Sequence, residues 1–222
     1  MTLDDMKNLL AGRLGQRTDI DQMIYSEIRA AQRALEKTPP YPWFLESGLE
    51  IEYLSGINLL PVNFIEVLED FVLIRKKTSE TVLWPNPHKV YGAEFEHIID
   101  TSYGLPKNFH LYGETIVFHP QPDVSYSFQL HFYSKDALLS GGGSENLWSR
   151  YADDLLIAEA GWHVARNIRD NEAATLFGQD RAEARRRIAQ ETTSRNESMR
   201  RAVIGSGEDA LLGQAHWEAG HQ

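Results

Sequence analysis

The sequence predicts an α+β chain in which N- and C-terminal helices form one helical bundle, with an antiparallel β-sandwich or barrel module inserted between them. Three observations predict it. Apolar residues recur every three or four positions at both ends of the chain. From Trp43 to about Tyr133 the period falls to two. Breaker clusters mark both changes, Pro39-Pro40-Tyr41-Pro42 at the first and Ser140-Gly141-Gly142-Gly143-Ser144 at the second. The implied segments are 1–40, an N-terminal helix pair; 41–140, the β module; 141–202, the C-terminal helices; and 203–222, an extended tail.

The first helix follows from Thr2 and Asp5, at capping-box spacing, and from Leu3, Met6, Leu10 and Leu14 on one stripe. Gly12 and Gly15 close it. Asp19 with Gln22 predicts the N-terminus of a second helix, whose stripe is Ile20, Ile24, Ile28, Ala31 and Leu35. The proline run then stops it, because proline lacks the amide and disfavours helix before it.

Leu49, Ile51 and Tyr53 alternate with polar residues and predict a first strand. Further strands are expected at Asn63–Leu68, Phe71–Lys76, Thr81–Trp84, Phe109–Leu111, Thr115–Phe118 and Tyr126–Tyr133. In the last of these Tyr126, Phe128, Leu130 and Phe132 share a face. Ala93–Asp100 reads as helix or loop.

The Gly141–Gly143 run predicts a flexible joint. Beyond it, Tyr151, Leu155, Ala158, Trp162 and Ala165 line one helical face, and Ile157, Gly161, Val164 and Ile168 another, so this helix packs on two sides. Asp170-Asn171 turns into a further helix from Glu172 to about Gln190. The polar run Thr192–Ser198 is expected to kink or end it.

Lys and Arg number 22 against 32 Asp and Glu, a net charge of −10, which opposes general nucleic-acid binding and an anionic membrane surface. The chain has no cysteine, which removes disulfides, thiolate metal sites and a cysteine nucleophile, and fits a reducing compartment. The acidic start Met1-Thr2-Leu3-Asp4-Asp5 is unlike a secretory signal, and no apolar run is long enough to span a bilayer, so a soluble protein is expected.

Motifs for chemistry are few. Gly141-Gly142-Gly143-Ser144 lacks the Gly-Lys-Ser/Thr ending of a phosphate loop, and a linker is the stronger reading. His110, His119 and His131 have no ligand spacing, and scattered sheet histidines are expected rather than a metal. Glu159 and His163 stand four apart on a helix and suit a hydrogen bond or ion pair. Asp153 and Asp154 suit a helix N-terminus. No catalytic residue, metal or cofactor is assigned. Arg181, Arg185, Arg186, Arg187, Arg195, Arg200 and Arg201 form a basic stretch, readable either as a solvated helix face or as an interface. Leu211, Leu212 and Trp217 follow among small and polar residues, a composition suited to a groove on a partner.

One arrangement is more specific. Leu60-Pro61-Val62-Asn63-Phe64 is echoed by Leu105-Pro106-Lys107-Asn108-Phe109, and each leads into a strand. After the second copy, Tyr112-Gly113-Glu114-Thr115 turns between two strands and Pro120-Gln121-Pro122-Asp123 leads to the next. With the helix pair ending at Tyr41-Pro42-Trp43-Phe44 and the return helices after Asn146-Leu147-Trp148, this order resembles head-to-tail adaptor (connector) proteins of short-tailed bacteriophages.

The resemblance implies a structural virion protein of the neck and tail, assembled in the host cytoplasm, with no catalytic residues. It implies a ring, commonly a dodecamer, that joins the portal protein to tail or nozzle proteins and extends a channel through which DNA passes without sequence-specific binding. Portal docking is expected from Arg181, Arg185, Arg186, Arg187, Arg200, Arg201, Leu211, Leu212 and Trp217. The alternatives are a β-sandwich binding module, for example for carbohydrate, with Trp84 and Tyr91 as a platform, and an enzyme of unrecognised type.

Overall fold

The computed structural model describes residues 1–17, 19–52, 58–76, 87–91, 103–123 and 126–218. The chain divides into two compact units, Met1–Phe44 with Leu138–Gln222, and Leu45–Ala137. Helices fill the first and strands the second, an α+β class.

The first unit begins with α1 (Leu3–Arg13) and α2 (Asp21–Leu35). The Thr2 hydroxyl accepts from the Asp5 amide and the Asp5 carboxylate accepts from the Thr2 amide, so the capping box forms as its spacing predicts. In α2 the stripe Ile20, Ile24, Ile28, Ala31 and Leu35 is buried along its whole length. Each large apolar side chain removed from water there is worth about 1.5–3 kcal/mol, and this burial outweighs the weak start of the helix. That start is a correction: Ile20, not Asp19, occupies the cap position and makes no side-chain cap. Arg17 has taken the Asp19 carboxylate instead, at 2.6 and 3.1 Å.

The glycine run is a second correction, since it is fastened rather than free. The Leu3 and Asp4 amides, left without partners at the first turn of α1, donate to Ser144 O at 3.1 Å and Gly142 O at 2.8 Å. The Arg29 guanidinium binds Leu139 O and Ser140 O, both at 2.7 Å. A Cβ on Gly142 would fall on the Asp4 carboxylate, so glycine here permits a close approach.

Beyond this loop lie α3 (Leu147–Tyr151), α4 (Asp153–Asn167) and α5 (Asn171–Glu218). Asn146 and Ser149 cap α3 reciprocally. A break at Ala152 divides what the periodicity reads as one helix; the restart has no side-chain cap, and the Asp153 carboxylate accepts from the adjacent Asp154 N–H at 2.9 Å. Both predicted faces of α4 are buried: Leu155, Ala158 and Ala165 on one, Ile157, Gly161 and Val164 on the other.

α5 departs furthest from expectation. Asp170 caps it by accepting from Ala173 N–H at 2.9 Å. The helix then continues for 48 residues, about 70 Å, through the polar run and through the segment expected to be an extended tail. Thr192 and Thr193 do not break it because their hydroxyls donate to the Ile188 and Ala189 carbonyls one turn back, both at 2.9 Å.

A polar cluster joins α2 to α3 inside the apolar core. Glu36 accepts from the Gln32 amide at 3.0 Å and the Trp148 indole at 3.1 Å, and Gln32 accepts from Asn146 at 3.1 Å. All four are buried, and each of these donors and acceptors is matched as burial requires.

The second unit holds β1 (Glu46–Glu52), β2 (Asn58–Leu59), β3 (Phe64–Lys76), β4 (His88–Lys89), β5 (Asn108–Tyr112), β6 (Thr115–His119) and β7 (Tyr126–Ser134). They form a three-stranded antiparallel sheet, β1-β7-β3, and a four-stranded sheet, β2-β6-β5-β4. The second sheet is mixed, because β4 runs parallel to β5, so the unit is not purely antiparallel. The two strands expected at Asn63–Leu68 and Phe71–Lys76 are one strand with a register shift between Val67 and Val72. The expected strand Thr81–Trp84, the position Tyr53 and the segment Ala93–Asp100 lie outside the described residues.

Tyr126, Phe128, Leu130 and Phe132 all point into one core, as their alternation predicts. Phe109, Ile116 and Phe118 meet them from the other sheet, together with Leu60 just after β2. Phe118 and Phe128 stack with ring centroids 3.9 Å apart.

A candidate docking surface along the last helix

The arginines of α5 divide into two groups. Arg181 donates to Glu159 Oε1 at 3.3 Å and Arg185 to Oε2 at 2.9 Å, while His163 Nε2 lies 3.8 Å from Oε1. Glu159 sits on the buried side of α4 and is only 4% exposed, so the two guanidinium groups compensate a carboxylate withdrawn from water. Arg181 also covers the Trp162 ring at 4.4 Å, with Arg166 at 4.6 Å. Arg187 binds Asp154 at 2.7 Å, and that hydrogen bond raises the guanidinium pKa further above its ordinary value. Three of the predicted docking arginines thus seat α5 on α4.

Other contacts extend the seat along the helix. Phe177 presses on Gly161, and Arg13 lies over the Phe177 ring at 4.3 Å while pairing with Asp180. Farther on, the Trp43 amide donates to the Thr192 hydroxyl at 3.2 Å and Arg195 lies 3.5 Å from the Trp43 ring centroid. Trp43 is itself held by Phe44 and Tyr151, and Phe44 by Trp148. From Arg195 to Glu218 the helix covers roughly 35 Å more. The backbone of that reach carries Arg200, Arg201, Leu211, Leu212 and Trp217.

Arg186 is exposed and makes no ion pair among the described residues. It borders a cleft of about 260 Å³ between α5 and the proline run. Leu35, Trp148 and Leu155 line the apolar part, Pro39 to Pro42 form one wall, and Arg185, Arg186 and Ala189 form the other.

His110, His119 and His131 are carried on β5, β6 and β7. His110 Nδ1 lies 2.9 Å from Val90 O, and His131 faces Gly48 across the β1–β7 pair. Among the described residues no cluster of His, Asp and Glu is placed to hold a metal. Of the proposed platform, Tyr91 is exposed and Trp84 lies outside the described residues. No helix among the described residues is long and apolar enough to cross a membrane.

A family model described as SU10 adaptor protein matches residues 1–204, which include the N-terminal helices, the β module and the C-terminal helices as far as Ile204. The chain belongs to the SU10 adaptor protein family. It is a structural head-to-tail adaptor of a phage, a component of the virion neck that interacts with portal and tail proteins. No curated protein matches the chain. The family match ends at Ile204, so Arg200 and Arg201 fall inside it and Leu211, Leu212 and Trp217 beyond it.

Sequence reading paired Glu159 with His163 alone and missed its two arginine partners on α5. The signal was present: Glu159 is the one carboxylate inside the run Leu155–Val164, and Arg181 and Arg185 repeat at helical spacing. The Trp43–Arg195 contact joins residues about 150 positions apart and leaves no local pattern.

Proposed function

We propose that this adaptor forms a homo-oligomeric ring, a dodecamer, beneath the portal, where it extends the DNA channel and offers a platform to the tail proteins. We further propose that the reach of α5 beyond its seat is the portal-docking element, through Arg200, Arg201, Leu211, Leu212 and Trp217. The observation that carries this reading is the division of α5 itself. Its described side-chain contacts, from Phe177 to Arg195, hold it to α1, α4 and Trp43, while the helix continues well past them. A continuous helix ending in apolar residues suits insertion into a groove on a partner. The net charge of −10 suits a channel over which DNA slides without adhering, because few phosphates would be neutralised.

Truncation after Glu197 tests the docking reading, since it removes the distal reach and leaves the seat at Thr192 and Arg195 intact. The shortened chain should keep the thermal midpoint of the full chain and lose co-sedimentation with assembled portal. Full occupancy by the shortened chain would move the docking surface elsewhere, to the short N-terminal helices.

A further inference from the structure

The β5–β6 turn carries a knob. Tyr112 pairs directly with Thr115, and Thr115 pairs with Leu59 on β2, so the three stand in one row on one face of the sheet. Tyr112 is 74% exposed and Leu59 66%, far more than large apolar side chains need to be beside a formed core. The turn that presents them is fixed. Gly113 takes a φ of +59°, the Thr115 hydroxyl donates to Tyr112 O at 2.7 Å, and the Leu60 amide donates to Glu114 O at 2.8 Å. Glu114, at the tip, is exposed and makes no ion pair among the described residues. A rigid tip therefore presents an aromatic ring with a carboxylate two residues away.

The cleft described above has the complementary character. Its floor of Leu35, Trp148 and Leu155 is apolar, and at about 260 Å³ it has room for one aromatic side chain. Arg186, exposed and unpaired among the described residues, stands at its border with Arg185 beside it. We propose that Tyr112 of one copy enters the proline-walled cleft of the next, with Glu114 meeting Arg186. This assignment rests on the ring reading above and names its contact. Because knob and cleft are different places on the chain, each contact leaves one free knob and one free cleft. Such a heterologous contact propagates until the ring closes. The charges add partner choice, since a like-charged knob would be repelled from the arginine border.

The test uses the full chain under conditions in which the wild type forms rings, read by sedimentation velocity and mass photometry. One variant disables the knob (Tyr112→Ser with Glu114→Ala) and another the cleft (Arg186→Glu). All three residues are exposed, so both variants should melt with the wild type. Each variant alone should associate about thirtyfold more weakly, the loss expected for one central anchor. An equimolar mixture should give 1:1 dimers and no rings, because only one intact knob–cleft pair remains per two copies. Rings from either variant at wild-type concentrations, or a mixture that stays monomeric, would overturn the proposal while leaving the ring itself in place. A wild-type chain that stays monomeric even on the portal would remove both readings.

Discussion

Gly161 and Gly178 lie on the two helices that meet along α4 and α5, yet the space around them differs. A Cβ on Gly161 would stand 2.5–2.8 Å from the Phe177 ring, which is fully buried and has nowhere to move. A Cβ on Gly178 would stand 3.6–3.8 Å from Trp162, an ordinary contact. Gly161→Ala should therefore destabilise the chain by about 1–3 kcal/mol through overpacking, despite its gain in helix propensity. Gly178→Ala should stabilise it by roughly 0.5–1 kcal/mol, with urea unfolding as the measurement for both. Tyr126 supplies the pH test. Burial, with its hydrogen bond to Asp123, pushes its hydroxyl up to about 12. The unfolded chain releases that proton near pH 10, so the unfolded state binds fewer protons between about pH 10 and 12 and stability falls as pH rises through that window. Tyr126→Phe should flatten this part of the alkaline unfolding profile, and an unchanged slope would contradict the burial argument. Neither glycine's surroundings are legible in sequence, because Phe177 reaches Gly161 only through tertiary packing. The burial of Tyr126 was legible in its alternation with Phe128, Leu130 and Phe132.

At the scale of elements, periodicity located what is amphipathic and composition misjudged what is held by the backbone. The stripes of α1, α2 and α4 and the inward face of β7 were readable because burial enforces a repeat. Asp19 looked like a cap, but Arg17 competes for its carboxylate at two residues' distance. The Gly141–Gly143 run looked like a joint, yet its carbonyls and those of its neighbours serve the first turn of α1 and the Arg29 side chain. No sequence rule couples residue 4 to residue 142. Limited proteolysis should accordingly spare residues 141–143 while α1 is intact. Asp4→Pro, which removes the amide that binds Gly142 O, should open the loop to cleavage, and early cleavage of the unaltered chain there would contradict the fastening. The short strands β2 and β4 have two residues each, too few for any period to show.

For the whole molecule, the α+β class and the adaptor family were accessible from the order of segments, since the helical period, the period of two and the two Leu-Pro-x-Asn-Phe copies all survive in one dimension. The docking surface was only partly so. An arginine-rich stretch reads the same whether its guanidinium groups hold a neighbouring helix or await a partner. Only the position of Glu159 and Asp154 separates Arg181, Arg185 and Arg187 from Arg186. The reading of the molecule as a ring-forming link between portal and tail is tested most directly by imaging the purified chain mixed with its cognate portal. The account predicts a closed ring of this chain coaxial with the portal, with density from α5 running into grooves on the portal. Portal particles carrying no such ring, with the chain left as free monomers, would contradict it.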